Sequence, residues 1–154
     1  KLETAPRRIV LFAGAIPDDG KCALDMLPRL NKLAFKMMSR RLNGRPKAQI
    51  KLPKTVVDNI YCNGMDSGDV TQIVGRFVPF SPQMFKTKLH LSSLTTNCPI
   101  TYVPLWRDKL FPPALQHHMA SRFPGVDMAR ELDSSHEVLI ERPRQVAEIL
   151  LNYA

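Results

Sequence analysis

Apolar positions along this chain follow two different periods, each confined to its own stretches. Ile9-Val10-Leu11-Phe12-Ala13-Gly14-Ala15-Ile16 is continuous and stops at Pro17-Asp18-Asp19-Gly20. An unbroken run closed by turn residues predicts a central strand of a parallel sheet, buried on both faces. Such a strand needs a neighbour and a crossover before it, so further core material is expected upstream of residue 1. The period then changes. Leu27, Leu30, Leu33, Ala34, Met37 and Met38 recur at helical spacing over Leu27 to Arg41, with that stripe inward and a stop at Asn43-Gly44-Arg45-Pro46. Lys51 to Tyr61 is expected to be extended. Asp66-Ser67-Gly68-Asp69 should cap a helix from Val70 to Phe77, ended by Val78-Pro79-Phe80-Ser81-Pro82.

Strand character returns at Ile100 to Val103. A helix over Pro112 to Phe123 has Pro113 in its first turn, where the missing N–H costs nothing. Met128 to Leu132 should be a short strand. Pro143 to Tyr153 should be a closing helix with Val146, Ile149, Leu150 and Tyr153 inward. Strands alternating with helices predict an α/β fold with a parallel sheet, interrupted by mostly helical material. The division expected is core strand 1–20, helical lid 21–88, and 89–154 for the remaining core. An excursion of this kind between strands is how a lid over an active site looks in sequence.

Composition narrows the class. The 154 residues are 44% hydrophobic and 23% charged, values of a globular domain. The net charge of +8 permits an anionic partner. Its densest groups (Arg40-Arg41, Arg45, Lys47, Lys51, Lys54) lack the aromatic residues that stack bases, so a solvated basic surface is expected and no nucleic-acid site. No apolar run approaches the roughly 18 residues needed to span a bilayer. Cys22, Cys62 and Cys98 are odd in number, widely spaced and without a Cys-x-x-Cys pair. That pattern suits a reducing, cytoplasmic location better than a disulfide framework.

Two segments carry the chemistry. Cys98 to Pro113 is an apolar strand running into a loop that opens on Asp108, and Glu131 to His136 is a second one reaching His136. Alone, Asp108 would ordinarily cap the following helix and His136 would be a loop residue. Together, at successive strand ends, they match the later members of a triad laid out in the order Ser, Asp, His. The carboxylate would hold the imidazole in one tautomer and stabilise its protonated form. Among the rest, His117-His118 point about 100° apart on a helix and cannot share a metal. His90 has no partner at ligand spacing. Ser92-Ser93 and Ser134-Ser135 lie in no Gly-x-Ser-x-Gly elbow, and no phosphate-binding glycine loop occurs.

Residues 98–113 and 123–150 resemble the acid and histidine segments of the α/β-hydrolase family. There an apolar strand leads to Gly-x-x-Asp and a Pro-rich helix start, and then to Gly-x-His before a Pro-led helix. Here Pro104-Leu105 stands where a Trp-Gly or similar pair is common, and Ser134-Ser135 replaces the glycine-containing dipeptide. Residues 13–20 and 61–70 look like the lid entrance and lid middle of the methylesterase and hydroxynitrile-lyase branch. The resemblance implies the C-terminal half of a serine-type hydrolase acting on a carboxylic ester of a small apolar molecule. Asp108 and His136 would serve catalysis, and Leu27, Phe35, Met37, Met38, Ile60 and Phe77 would form the wall for substrate. The nucleophile and oxyanion donors would come from an N-terminal half, in the same precursor or a separate chain. No metal or organic cofactor is implied. Two rival readings are a non-catalytic, diverged subunit that binds a partner and a lyase of the hydroxynitrile type. Glu137 counts against the lyase, because those enzymes place a lysine directly after the triad histidine.

Overall fold

The computed structural model describes residues 6–40, 49–90, 98–123 and 125–153. Three parallel strands, β1 (Ile9–Phe12), β2 (Ile100–Val103) and β3 (Val126–Met128), form a sheet in the order β1-β2-β3. Ile9 to Phe12 pair with Ile100 to Val103 in register, and Ile100 to Tyr102 pair with Val126 to Met128. Between β1 and β2 lie α1 (Ala23–Met26), α2 (Arg29–Arg40), α3 (Lys54–Val56) running into a π-helical turn at Val57–Tyr61, α4 (Ser67–Arg76) and α5 (Gln83–Lys86). Helix α6 (Pro113–Arg122) crosses from β2 to β3, and α7 (Val138–Glu141) and α8 (Pro143–Leu151) follow β3. The fold is α/β, as the alternation of periods predicts.

Strand β2 is the centre of the described sheet, and all four of its residues are buried. Successive strand residues face opposite sides, so Tyr102 packs with Ile16, Leu110, Phe111 and Met119 while Val103 and Leu105 pack with Ala13, Leu132, Val138 and Val146. The sheet is covered on both faces. Strand β1 pairs with β2 on one side among the described residues, and all four of its residues are partly exposed. Ala13 follows it with φ at 46°, an uncommon conformation for a residue with a Cβ, and the sheet pairing of the strand ends there.

Several expectations are corrected. The stripe Leu30, Leu33 and Met37 on α2 is exposed by 80%, 56% and 59%, while Phe35 and Ser39 are buried. Residues 30, 33 and 37 lie opposite Phe35 at 100° per residue. The helix thus has two apolar sides, and the side carrying the large aromatic won. Phe35 meets Phe85 of α5 with ring centroids 5.1 Å apart. Lys51 to Tyr61 is helical from Lys54, since Pro53 leaves a donor-free helix start and Val57 and Cys62 anchor the turn in a small core with Ile73. Strand β3 comes earlier than expected, at Val126–Met128, and Leu132 makes an isolated parallel bridge with Leu105. On α8, Val146 is buried but Leu150 is exposed, and the helix ends at Leu151, before the exposed Tyr153. The Tyr153 ring instead carries the Arg8 guanidinium, 4.5 Å from its centroid. Arg41, Arg45, Lys47, the stop at 43–46 and Ser92-Ser93 lie outside the described residues.

One polar side chain holds the loop after β2. Gln116 of α6 is fully buried. Its Oε1 accepts from the Leu105 N–H at 2.8 Å, and its Nε2 donates to the carbonyls of Leu105 at 3.0 Å and Phe111 at 2.6 Å. Gln116→Leu keeps the volume but strands three buried backbone groups. It should lower stability by about 2–4 kcal/mol, because a buried group without a partner costs roughly 1–3 kcal/mol. A urea midpoint equal to that of the parent would show that the loop closes without these bonds.

Candidate active site

The loops after β2 and β3 run side by side because strand-like pairing continues past both strands. Leu132 N–H donates to the Pro104 carbonyl, Trp106 N–H to Leu132 and Arg107 N–H to Ser134, at 2.9, 2.9 and 3.0 Å. That register brings Asp108 beside His136. Asp108 is buried, and its Oδ1 accepts from the N–H groups of Leu110 at 2.7 Å and Phe111 at 3.0 Å. Its Oδ2 lies 2.8 Å from His136 Nδ1. The carboxylate therefore sits opposite one ring nitrogen, and Nε2 has no hydrogen bond to any described residue. The imidazole is packed edge-on between Tyr61 and Phe111, at centroid distances of 5.5 and 5.9 Å. An imidazole held by a buried carboxylate on one nitrogen can take and return a proton through the other.

A second buried carboxylate shapes the histidine loop, and the sequence pattern did not single it out. Glu141 Oε2 accepts from Ser134 Oγ at 2.9 Å, Ser135 Oγ at 2.8 Å and Ser135 N–H at 2.7 Å, and Oε1 accepts from Arg107 Nη2. Burial alone would raise the Glu141 pKa, but bonds from Ser135, Arg107 and Ser134 outweigh it and hold the pKa below its ordinary value. This is why two serines can stand where the resembled family has a glycine-containing dipeptide. Their hydroxyls are committed to Glu141, which leaves neither as a nucleophile for His136. Arg107 also grips the segment after the π-helical turn. Its Nη1 donates to the Asn63 carbonyl and Asn63 Nδ2 donates back to the Arg107 carbonyl, both at 2.8 Å, while Nε meets Asp133 at 2.7 Å. Gly64 suits this contact on two counts. Its φ is +78°, and a Cβ there would lie 2.6 Å from Arg107 Nη1.

A cavity of about 600 Å³ opens against His136. On the sheet side it is bounded by Ala15, Leu110, Phe111, His136, Glu137 and Ile140, and on the helical side by Tyr61, Ile73, Phe77, Phe80, Met84 and Phe85. Gln72 and Arg76 stand on the same wall. Burial pushes the Tyr61 hydroxyl up to about 12, with the charges of Glu137 and Asp108 adding to it. Burial likewise pushes the Cys62 thiol up to about 11, so it is no thiolate nucleophile at neutral pH. Of the six wall residues expected from sequence, Phe77 lines this cavity. Leu27 and Phe35 are in the core, Ile60 packs against that core, and Met37 and Met38 line a separate cavity of about 620 Å³ with Ala34 and Ile50. Phe80, Met84 and Phe85 were missed, since they fall in short segments with no sustained period. His117 pairs with Glu131 at 2.5 Å on the surface. Among the described residues no cluster of three or more His, Cys, Asp or Glu is placed to hold a metal ion, and no helix is long and apolar enough to cross a membrane.

The Glu141 cluster predicts an acid-sensitive fold. A carboxylate whose folded pKa is depressed contributes stability above its unfolded pKa and loses it as pH falls through the folded value. The loss should begin below about pH 4.3, the ordinary glutamate value. Glu141→Gln should cost about 3 kcal/mol at pH 7, as when one partner of a buried ion pair is removed, and should flatten the acid limb. Parallel loss of stability with acid in parent and variant, followed by urea unfolding from pH 7 to 3, would place the acid sensitivity elsewhere.

No protein-family model matches the sequence, and no curated protein matches it. Solved structures do match the fold. An extracellular α/β-hydrolase from a Paenibacillus species, described as sharing homology with a tobacco salicylic acid-binding protein, superposes with a TM-score of 0.74 at 18% identity. That match covers 96% of this chain and 62% of the other. A polyneuridine aldehyde esterase mutant matches with a TM-score of 0.65 at 18% identity, over 95% of this chain and 61% of that one. A methylesterase from Arabidopsis matches with 0.61 at 15% identity, over 95% and 58%. The chain thus spans about three fifths of the length of these structures. With its parallel sheet, its helical excursion and the loops that carry Asp108 and His136, the chain has the α/β-hydrolase fold.

Proposed function

We propose that this chain supplies the acid and the histidine of a serine-type α/β-hydrolase that cleaves a carboxylic ester of a small apolar substrate. The observation that carries this reading is the 2.8 Å contact from buried Asp108 to His136 Nδ1 on the wall of a mostly apolar cavity. Asp108 orients the ring. His136 takes the proton of a serine hydroxyl through Nε2 as the serine attacks the ester carbonyl, then returns it to the departing alkoxide. The sequence has no Gly-x-Ser-x-Gly elbow, so the nucleophile and the oxyanion donors are assigned to a segment outside this chain, the N-terminal half of the hydrolase. No step calls on a metal or an organic cofactor.

Esterases and a methylesterase among the matched structures support the ester as the bond attacked. The segment 21–88 is read as the lid, because its residues Tyr61, Ile73, Phe77, Phe80, Met84 and Phe85 form one wall of the cavity. Residues 1–20 and 89–154 are read as the core it covers. A cytoplasmic location is proposed on the odd number and wide spacing of Cys22, Cys62 and Cys98, which include no Cys-x-x-Cys pair.

Asp108 and His136 serve one proton transfer, so their losses should not multiply. In the complete enzyme, His136→Ala should lower kcat on a short p-nitrophenyl ester by on the order of 10³-fold or more. The double variant with Asp108→Asn should fall to nearly the same level. Near-parental hydrolysis by folded His136→Ala protein would end the assignment.

The cavity wall makes a second prediction. Phe77→Ala should change relative kcat/KM across acyl-chain lengths by about ten-fold, since a methylene in an apolar pocket is worth roughly 1–3 kcal/mol. Phe35→Ala should instead lower stability by about 3–5 kcal/mol and leave chain-length preference alone, as expected of a core aromatic. Rates against a series of acyl esters and urea melts of both variants separate the two roles. Equal loss by Phe77→Ala on every ester would remove it from the substrate wall.

A further inference from the structure

Glu137 is the one acidic side chain on the cavity wall among the described residues, and it follows His136 directly. It stands at the N-cap position of α7, yet its side chain makes no capping hydrogen bond. Its carboxylate has no hydrogen bond or ion pair to any described residue, although its backbone carbonyl accepts from the N–H groups of Ile140 and Glu141. This is unusual beside its neighbours. Asp108 Oδ1 has two backbone donors and Oδ2 has the imidazole, and Glu141 has four donors. Glu137 is half-buried and lines the same cavity as Tyr61, Phe111 and Ile140, and burial raises its pKa, with the charge of His136 opposing and that of Asp108 adding. Its charge is felt on the helical wall, where it contributes to the raised pKa values of Tyr61 and Cys62. An under-solvated carboxylate in an apolar cavity is costly unless a donor meets it.

We propose that Glu137 is a specificity residue: it receives a hydrogen-bond donor, a hydroxyl or an ammonium, carried by an otherwise apolar substrate close to the ester. This refines the ester-hydrolase reading above and rests on it for the reacting bond, but not for binding. The physical argument is that a few placed polar groups orient a ligand in an apolar site. A site built to accept from a ligand donor discriminates strongly against the analogue that lacks it, because its own polar group is then left unpaired. The donor would occupy the carboxylate face that no described side chain uses. His136, the neighbouring residue, would then face the ester.

The test uses binding and turnover together, on the complete protein. Calorimetry compares hexanamide with 3-hydroxyhexanamide and 3-aminohexanamide, amides that mimic the ester without being readily cleaved. Hydrolysis is measured on the three matching methyl esters. At least one donor-bearing amide should bind the parent protein about ten-fold or more tighter than hexanamide, as polar discrimination in such sites exceeds that for one methylene. Glu137→Ala should abolish the preference. Glu137→Gln should keep a hydroxyl preference, since the amide oxygen still accepts, and lose an ammonium preference, which identifies the donor. Equal binding of all three amides to the parent, or a preference that survives in folded Glu137→Ala, would overturn the proposal. So would a pH profile of hydrolysis shifted equally for all three esters with binding unchanged, because Glu137 would then act only through His136. Preference in binding without hydrolysis of any ester would uphold the donor site and reject the ester-hydrolase reading.

Discussion

The arrangement depends on strand pairing that continues beyond the strands. β2 and β3 end at Val103 and Met128, but Pro104 to Arg107 and Leu132 to Ser134 stay hydrogen-bonded in parallel register. Parallel neighbours advance together, so the first residue free of the pairing on each side arrives at the same end of the sheet. On the β2 side that residue is Asp108, and on the β3 side it is Ser135, with His136 directly after it. Gln116 holds the β2 side by bonding Leu105 and Phe111, and Glu141 holds the β3 side by bonding both serines. The position at the carboxyl ends of the strands is where open α/β sheets gather reactive groups. The placement of the pair follows from register more than from any single contact.

Three carboxylates near that point show how burial sorts acids by role. Asp108 is satisfied by two backbone donors and a histidine, which suits a group that must stay charged while a proton moves beside it. Glu141 is satisfied by two serines and an arginine, which suits a group that organises the backbone of the loop. Glu137 has no such donors and faces the cavity. The same functional group thus suits orienting an imidazole, fastening a loop or meeting a ligand, according to how many N–H and O–H groups point at it.

Arg107 links the helical segment to this centre. Through one guanidinium and its own carbonyl it touches Asn63, Asp133 and Glu141, and it precedes Asp108 in the chain. The planar fork of arginine can serve three partners at fixed angles, which a lysine ammonium cannot reproduce. The seat of the cavity's outer wall and the acid loop are therefore held by one side chain.

The chain's own pattern was enough for the class of fold and for expecting Asp108 and His136 side by side, as their 2.8 Å contact has them. Ile100–Val103, all β-branched or aromatic, reads as a strand, and Pro113, Pro143 and Asp66 mark helix starts by local backbone chemistry. Those signals are short-range, so they are written in adjacent residues. What the pattern could not decide was which of two apolar sides of α2 faces inward, because Phe35 and the Leu30–Leu33–Met37 side have equally helical spacing. Nor could it find Glu141, Gln116 or Arg107, whose partners lie on other loops and elements and whose burial depends on a register not visible locally. The cavity wall, apart from Phe77, was likewise set by the packing of short helices whose few turns carry no readable period. Sequence determined the alternation of strands and helices and which titratable residues stand at the strand ends; tertiary structure decided which side chains share a space, because burial and hydrogen-bond satisfaction are properties of neighbours in the fold and not of neighbours in the chain.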